Sequence, residues 1–213
     1  QASYIAGFYP ISEKSVDVRT ALPGIQKGEW FLNSRGKYYR LGMDFNCHFL
    51  AGRQFWTERG NTGDVLSASH IEVSRTDPRR EEVFACVLAY TKDGLIPATI
   101  SFRVARAKAG AAGINELLAA SKGDWHTQSP AHGVAAKMPF PWMRFVLEIT
   151  SSCHTSRSSG FEYFASNGTP RPCNADEIQA LMNLQGDDAT MSLLYDVFTD
   201  YEEKTQKIAD KCD

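Results

Sequence analysis

From Glu29 to Leu41 the chain carries two short β-prone runs, EWFL and KYYRL, around a polar turn that ends in Gly36. This is the pattern of a hairpin, with Trp30 and Leu32 on one face. The next run, LGMDFNCHFLAG, alternates without a break. Leu41, Met43, Phe45, Cys47 and Phe49 fall on one side, and Gly42, Asp44, Asn46 and His48 on the other, which predicts a half-buried strand with Cys47 inward. After a polar, glycine-rich link, three strands at about residues 67–75, 82–91 and 95–106 are expected to follow as a meander, separated by TDPRR and TKDG. Both parities of EEVFACVLAYT are apolar, so this strand is expected at the centre of the sheet, paired across a short turn with LIPATISFRVARA.

AGAAGINELLAAS switches to helical spacing, with Ile114, Leu117 and Leu118 on one stripe and Gly123 as the stop. Residues 123–141 show neither period and carry three prolines, the pattern of a long loop. WMRFVLEIT is a strand with Met143, Phe145, Leu147 and Ile149 on one face, and FEYFA, residues 161–165, is expected to return beside it. Asn174 and Glu177 form a capping-box pattern ahead of Ile178, Leu181 and Met182. A last helix opens on Asp187 and Asp188, with a predicted buried stripe of Met191, Leu194, Phe198, Tyr201 and Ile208 that reaches Cys212.

The predicted fold is therefore α+β, a mostly antiparallel meander sheet of about six to eight strands. A short helix near residues 112–121 and a C-terminal helical pair are expected to pack on one of its faces. One domain is expected over residues 1–213, β-rich to residue 165 and helical over 174–211.

Composition changes the picture only at its edges. The net charge of −2 provides no drive toward polyanions, so nucleic acid is not an expected partner. No apolar run approaches the roughly 20 residues of a membrane-spanning helix. The chain opens on Gln1, which favours a processed N-terminus and leaves room for a lipid anchor upstream. Five cysteines without a CxxC pair suit an oxidising compartment, periplasmic or extracellular, with two disulfides and one thiol left over. The expected pair is Cys153 with Cys173, closing a loop, while Cys47 and Cys86 either pair across neighbouring strands, the slightly favoured reading, or sit as separate core thiols, and Cys212 is left free.

Candidate chemistry is sparse. In Cys47-His48 and Cys153-His154 the neighbours alternate across a strand, so neither histidine serves its own cysteine. A hydrolytic or metal-dependent site assembled from His126, His132 and Cys153 is one reading, although the spacing of the two histidines fits no helical zinc motif. No cofactor fingerprint is present, since the glycines of AGAAG have the wrong spacing for a dinucleotide. Asn167-Gly168-Thr169 reads either as a glycosylation acceptor or as a hairpin turn. The basic residues Arg35, Lys37 and Arg40 make a second surface candidate, or a solvated turn.

The strongest functional expectation is contact with another protein through the proline-stiffened loop, with Trp125, His126, His132, Phe140 and Trp142 as contact residues. The leading class is an exported binding module, such as an inhibitor or immunity protein occluding a secreted effector enzyme, or a secretion-system accessory. The alternatives are the enzyme built on His126, His132 and Cys153, and a small-ligand carrier with a cavity lined by Phe45, Phe49 and Tyr90.

Overall fold

The computed structural model describes residues 2–10, 15–107, 109–116 and 141–213. The strands are β1 (Ser3–Gly7), β2 (Trp30–Ser34), β3 (Lys37–Gly42), β4 (Phe45–Arg59), β5 (Val65–Ser69), β6 (Arg80–Thr91), β7 (Gly94–Arg103), β8 (Phe145–Thr155) and β9 (Glu162–Pro172). The helices are α1 (Ser15–Ala21), α2 (residues 109–116), α3 (Ala175–Leu184) and α4 (Asp188–Ala209). The class is α+β, and the sheet is mostly antiparallel, with one parallel pairing between β1 and β7.

The strand order is β3-β2-β1-β7-β6-β4-β8-β9, with β5 also on β4. β6 is central, as its doubly apolar pattern requires, and pairs with β7 from Glu82↔Arg103 to Thr91↔Gly94. The predicted meander holds only for that pair. β5 turns back onto β4 through Trp56↔Ser69 to Arg59↔Val65, while β6 takes the other edge of β4. The sheet curls on itself: the Trp30 indole N–H of β2 donates to Ser151 Oγ of β8 at 3.1 Å, although four strands separate them in the order.

The concave face holds the main core. Ile5, Trp30, Leu32, Phe45, Cys47, Phe49, Val83, Val87, Ile100, Phe102, Leu147 and Ile149 meet there, and α2 lies against them through Ala109, Ala111 and Ile114. Glycine makes this approach close. A Cβ on Gly168 would stand 2.9 Å from Ala109 O, and one on Gly52 would stand 2.6 Å from Ile114 Cδ1. The helices α3 and α4 cover the convex face, where Leu88 meets Leu181 and Leu184, Cys86 meets Val197 and Tyr201, and Phe55 meets Ile208. The mid-chain and C-terminal helices thus pack on opposite faces, contrary to expectation, because a strongly curled sheet has a concave side that also needs filling.

The capping box of α3 is formed, with Glu177 N–H donating to Asn174 Oδ1 and Asn174 N–H to Glu177 Oε1, both at 2.9 Å. The stripe of α4 is rotated from the predicted one: Val197, Tyr201, Thr205 and Ile208 are buried, while Met191 and Phe198 are 40% and 38% exposed.

Neither expected disulfide exists; all five cysteines are free. Cys47 pairs with Ala89 and faces the concave core, whereas Cys86 pairs with Ala51 and faces α4, so their thiols point to opposite sides of the sheet. The cause is the register: Cys86 lies three residues before Ala89, the partner of Cys47, and an odd offset along a strand places a side chain on the opposite face. Cys173 stands opposite Arg144, to whose carbonyl its N–H donates, while Cys153 lies nine residues further along β8. At about 3.3 Å per residue that is about 30 Å, far beyond disulfide reach. Thermal unfolding is accordingly expected at the same temperature with and without a thiol reductant, and a fall in Tm on reduction would contradict the free state.

Candidate functional site

β8 and β9 form the outermost part of the sheet. β4 pairs with β8 only from Phe45↔Ile149 to Cys47↔Leu147, whereas β8 and β9 stay paired from Phe145↔Pro172 to Thr155↔Glu162. Beyond Ile149 the two strands therefore run on as a two-stranded ribbon. Its base is pinned to the curled sheet: Ser151 N–H donates to Asp44 Oδ1 at 3.1 Å, and the Ser151 and Ser166 hydroxyls lie 2.6 Å apart. Its outer end carries Cys153, His154, Phe161 and Tyr163, all exposed, with Phe161 75% exposed. The His154 and Tyr163 rings stack at 5.5 Å, and His154 Nε2 lies 2.8 Å from Ser152 Oγ.

This alters the expected roles of the segment. Cys153 does not face inward, because the strand has left the sheet before reaching it. Asn167-Gly168-Thr169 is not a turn. It lies within β9, opposite Thr150, Ile149 and Glu148, with Asn167 exposed and Gly168 inward. Sequence reasoning missed Phe161 and Tyr163 as surface groups; the signal was their shared parity next to the SRSSG turn.

Of the predicted contact residues, Trp125, His126, His132 and Phe140 lie outside the described residues. Trp142 stands in the 3-10 turn Pro141–Arg144 at the opposite end of β8 from the ribbon tip. The site proposed from His126, His132 and Cys153 has only Cys153 within the described part. Among the described residues no cluster of three or more His, Cys, Asp or Glu could hold a metal ion. Burial pushes the Cys86 and Cys173 thiols up to about 12, and Cys47 higher still, away from the low values of nucleophilic cysteines. The basic hairpin face is internally paired: Arg35 with Asp196, Lys37 with Asp93 at 2.7 Å, and Arg40 with Glu29 at 2.8 Å.

Two further features carry polar groups. Between β3 and the ends of β4 and β6 lies an open cleft of about 620 Å³, lined among others by Tyr38, Phe45, Asn46, Tyr90 and Lys92. Phe49, the third residue expected there, belongs to the core. Behind the cleft, His48 is fully buried on the convex face. Its Nδ1 lies 2.9 Å from Phe145 O, which can only accept, so Nδ1 carries the proton and Nε2 accepts from the Tyr90 hydroxyl at 2.6 Å. Burial holds the ring below its ordinary value of 6.5. The unfolded chain therefore takes up a proton near pH 6.5 that the native ring refuses. The contribution of His48 to stability is complete above that pH and is lost as the pH falls below it. The NMR signals of the His48 ring are expected to keep their neutral-tautomer positions as pH drops through 6.5, and a midpoint at or above that value would contradict the assignment.

No protein-family model matches the chain, and neither a curated protein nor a solved structure does. Among the described residues no helix is long and apolar enough to cross a membrane.

Proposed function

We propose that the protein is a binding module that docks on another protein through the outer half of the β8–β9 ribbon. The observation that carries this reading is the exposure of Phe161 and Tyr163 on a ribbon whose base is tied to the sheet by Ser151, Ser166 and Asp44. Aromatic groups on ordered backbone lose little freedom on binding, and tyrosine and other aromatic side chains are enriched in interface cores. β9 also ends the strand order, with β8 as its one strand partner among the described residues. Occlusion of an enzyme by an exported inhibitor is the narrower form of this reading. The support that disulfides lent to export falls away with the free cysteines.

The test is capture from the host's own extract on immobilised protein, comparing the native chain with a Phe161→Ser/Tyr163→Ser variant of unchanged Tm. A partner held in stoichiometric amount and released at least about tenfold by the double substitution, about 1.4 kcal/mol, supports the reading. Equal retention by both proteins, or none by either, rejects it.

A second reading, carriage of a small ligand, is favoured by the cleft beside Tyr38, Phe45 and Tyr90, whose volume lies within the usual range of ligand pockets. A co-purifying small molecule that is lost with Tyr38→Ala would support it.

A further inference from the structure

Arg106 is the feature that the ribbon reading leaves unused. It ends a 3-10 turn, Val104–Arg106, that follows β7, and it is only 6% exposed. The turn is strained, since Val104 has a φ of 56°, a region that β-branched residues avoid. The guanidinium lies over two rings, its Cζ 4.1 Å from the centroid of Trp30 and 5.6 Å from that of Phe164. Nη2 donates to Gly28 O at 2.7 Å. The Tyr9 hydroxyl also hydrogen-bonds the guanidinium, whereas among the described residues the buried Nε and Nη1 have no hydrogen-bond partner and no ion pair joins Arg106 to a carboxylate.

The surroundings are shaped around this group. A Cβ on Gly7 would lie 3.4 Å from Arg106 Cζ, and one on Gly28 would strike the Phe164 ring. Tyr9, 43% exposed, packs edge-on against Phe164 at 6.3 Å and borders Arg106 beside Gly7. Two half-buried arginines of the sheet end on acids by contrast, Arg59 on Glu82 and Arg171 on Glu177. A buried cation without an acid costs stability unless the surroundings or a ligand supply the missing charge. Stacking on Trp30 offsets part of that cost but leaves two donors unused.

We infer that Arg106 is the anchor of a carboxylate-binding site, entered past Tyr9, in which a ligand carboxylate accepts from the guanidinium beside the Trp30 and Phe164 rings. A planar carboxylate continues the plane of the guanidinium in a slot bounded by flat rings, which a tetrahedral phosphate does not. The site takes a free organic acid or an acidic side chain of a partner, and it stands independently of the contacts at the ribbon tip.

The test uses the native full chain. The NMR signal of the Arg106 Nε–H group, assigned with Arg106→Lys, is followed during titration with sodium benzoate, acetate and a blocked aspartyl peptide at constant ionic strength. A saturable shift with carboxylates, absent with neutral benzamide, is expected. Tighter response to benzoate assigns a free acid, and tighter response to the peptide assigns a partner's side chain. An unmoved signal, an equal shift with sodium chloride, or a response to phosphate but not to carboxylates overturns the inference.

Discussion

Replacing Trp30 by alanine is expected to lower the free energy of unfolding by about 4 kcal/mol, within the range seen for large aromatic side chains removed from a core. Trp30 is 1% exposed and meets Phe45 and Phe102 edge-on, each at a centroid distance of 5.7 Å. Its loss opens a cavity in the concave face and removes more than volume. Its N–H is the bond that closes β2 onto Ser151, and its face carries the Arg106 guanidinium. Trp30→Phe keeps a ring in place but drops the N–H, and is expected to cost less, about 1 to 2 kcal/mol. Urea unfolding at fixed pH measures both. A loss under about 1 kcal/mol for the alanine variant would mean that the indole does not link the two sides of the curl.

The second large effect is expected at Glu82, a carboxylate 2% exposed in the middle of β-structure. Four donors converge on it: Thr57 Oγ1 at 2.6 Å, Arg59 Nε at 3.0 Å and Nη2 at 2.8 Å, and Ser101 Oγ at 2.9 Å. Together they tie β4, β6 and β7 across three strands. Glu82→Gln keeps the shape but turns half of the acceptor into a donor facing donors. The expected loss is about 3 kcal/mol, at the low end for a broken buried pair because Arg59 is partly open to water. A double-mutant cycle with Arg59→Met separates the pair from the rest. Strong coupling in the cycle is the expected result, and additive losses would place the stabilisation in the hydroxyl bonds alone.

Much of the strand content was readable in the chain because period-two alternation follows directly from the geometry of extended backbone. The hairpin at Gly36, the central place of β6, its pairing with β7 and the capping box at Asn174 all came from local pattern. β1 and α1 escaped it. They are short, and β1 is defined by partners far away in sequence, Trp30–Ser34 on one side and Thr99–Ile100 on the other. The disulfide reading failed on register: Cys47 stands opposite Ala89, an odd three residues from Cys86, and Cys173 stands opposite Arg144, nine residues from Cys153, and neither pairing is visible in a local window.

The candidate site was less legible still. Attention fell on the loop before β8, whereas the exposed aromatic pair sits at the far end of that strand, where β8 outruns its partner β4. Which residue a strand outruns depends on the length of a neighbour about a hundred positions earlier, which no local window contains. Arg106 escaped for the same reason: an arginine near the end of a strand reads as a solvated end, and only the packing of Trp30, Phe164 and Gly28 around it makes it a buried cation.

By itself the chain determined its α+β class, the identity of its long strands and the start of its α3 helix, because these depend on side-chain period and on the first turn's hydrogen bonds. The tertiary structure alone decided the curl of the sheet, the placing of α2 in the concave face, the separation of the cysteines and the exposure of Phe161 and Tyr163. Those features arise from register, bulges and pairings between distant segments, where the free energy of contact depends on which surfaces meet.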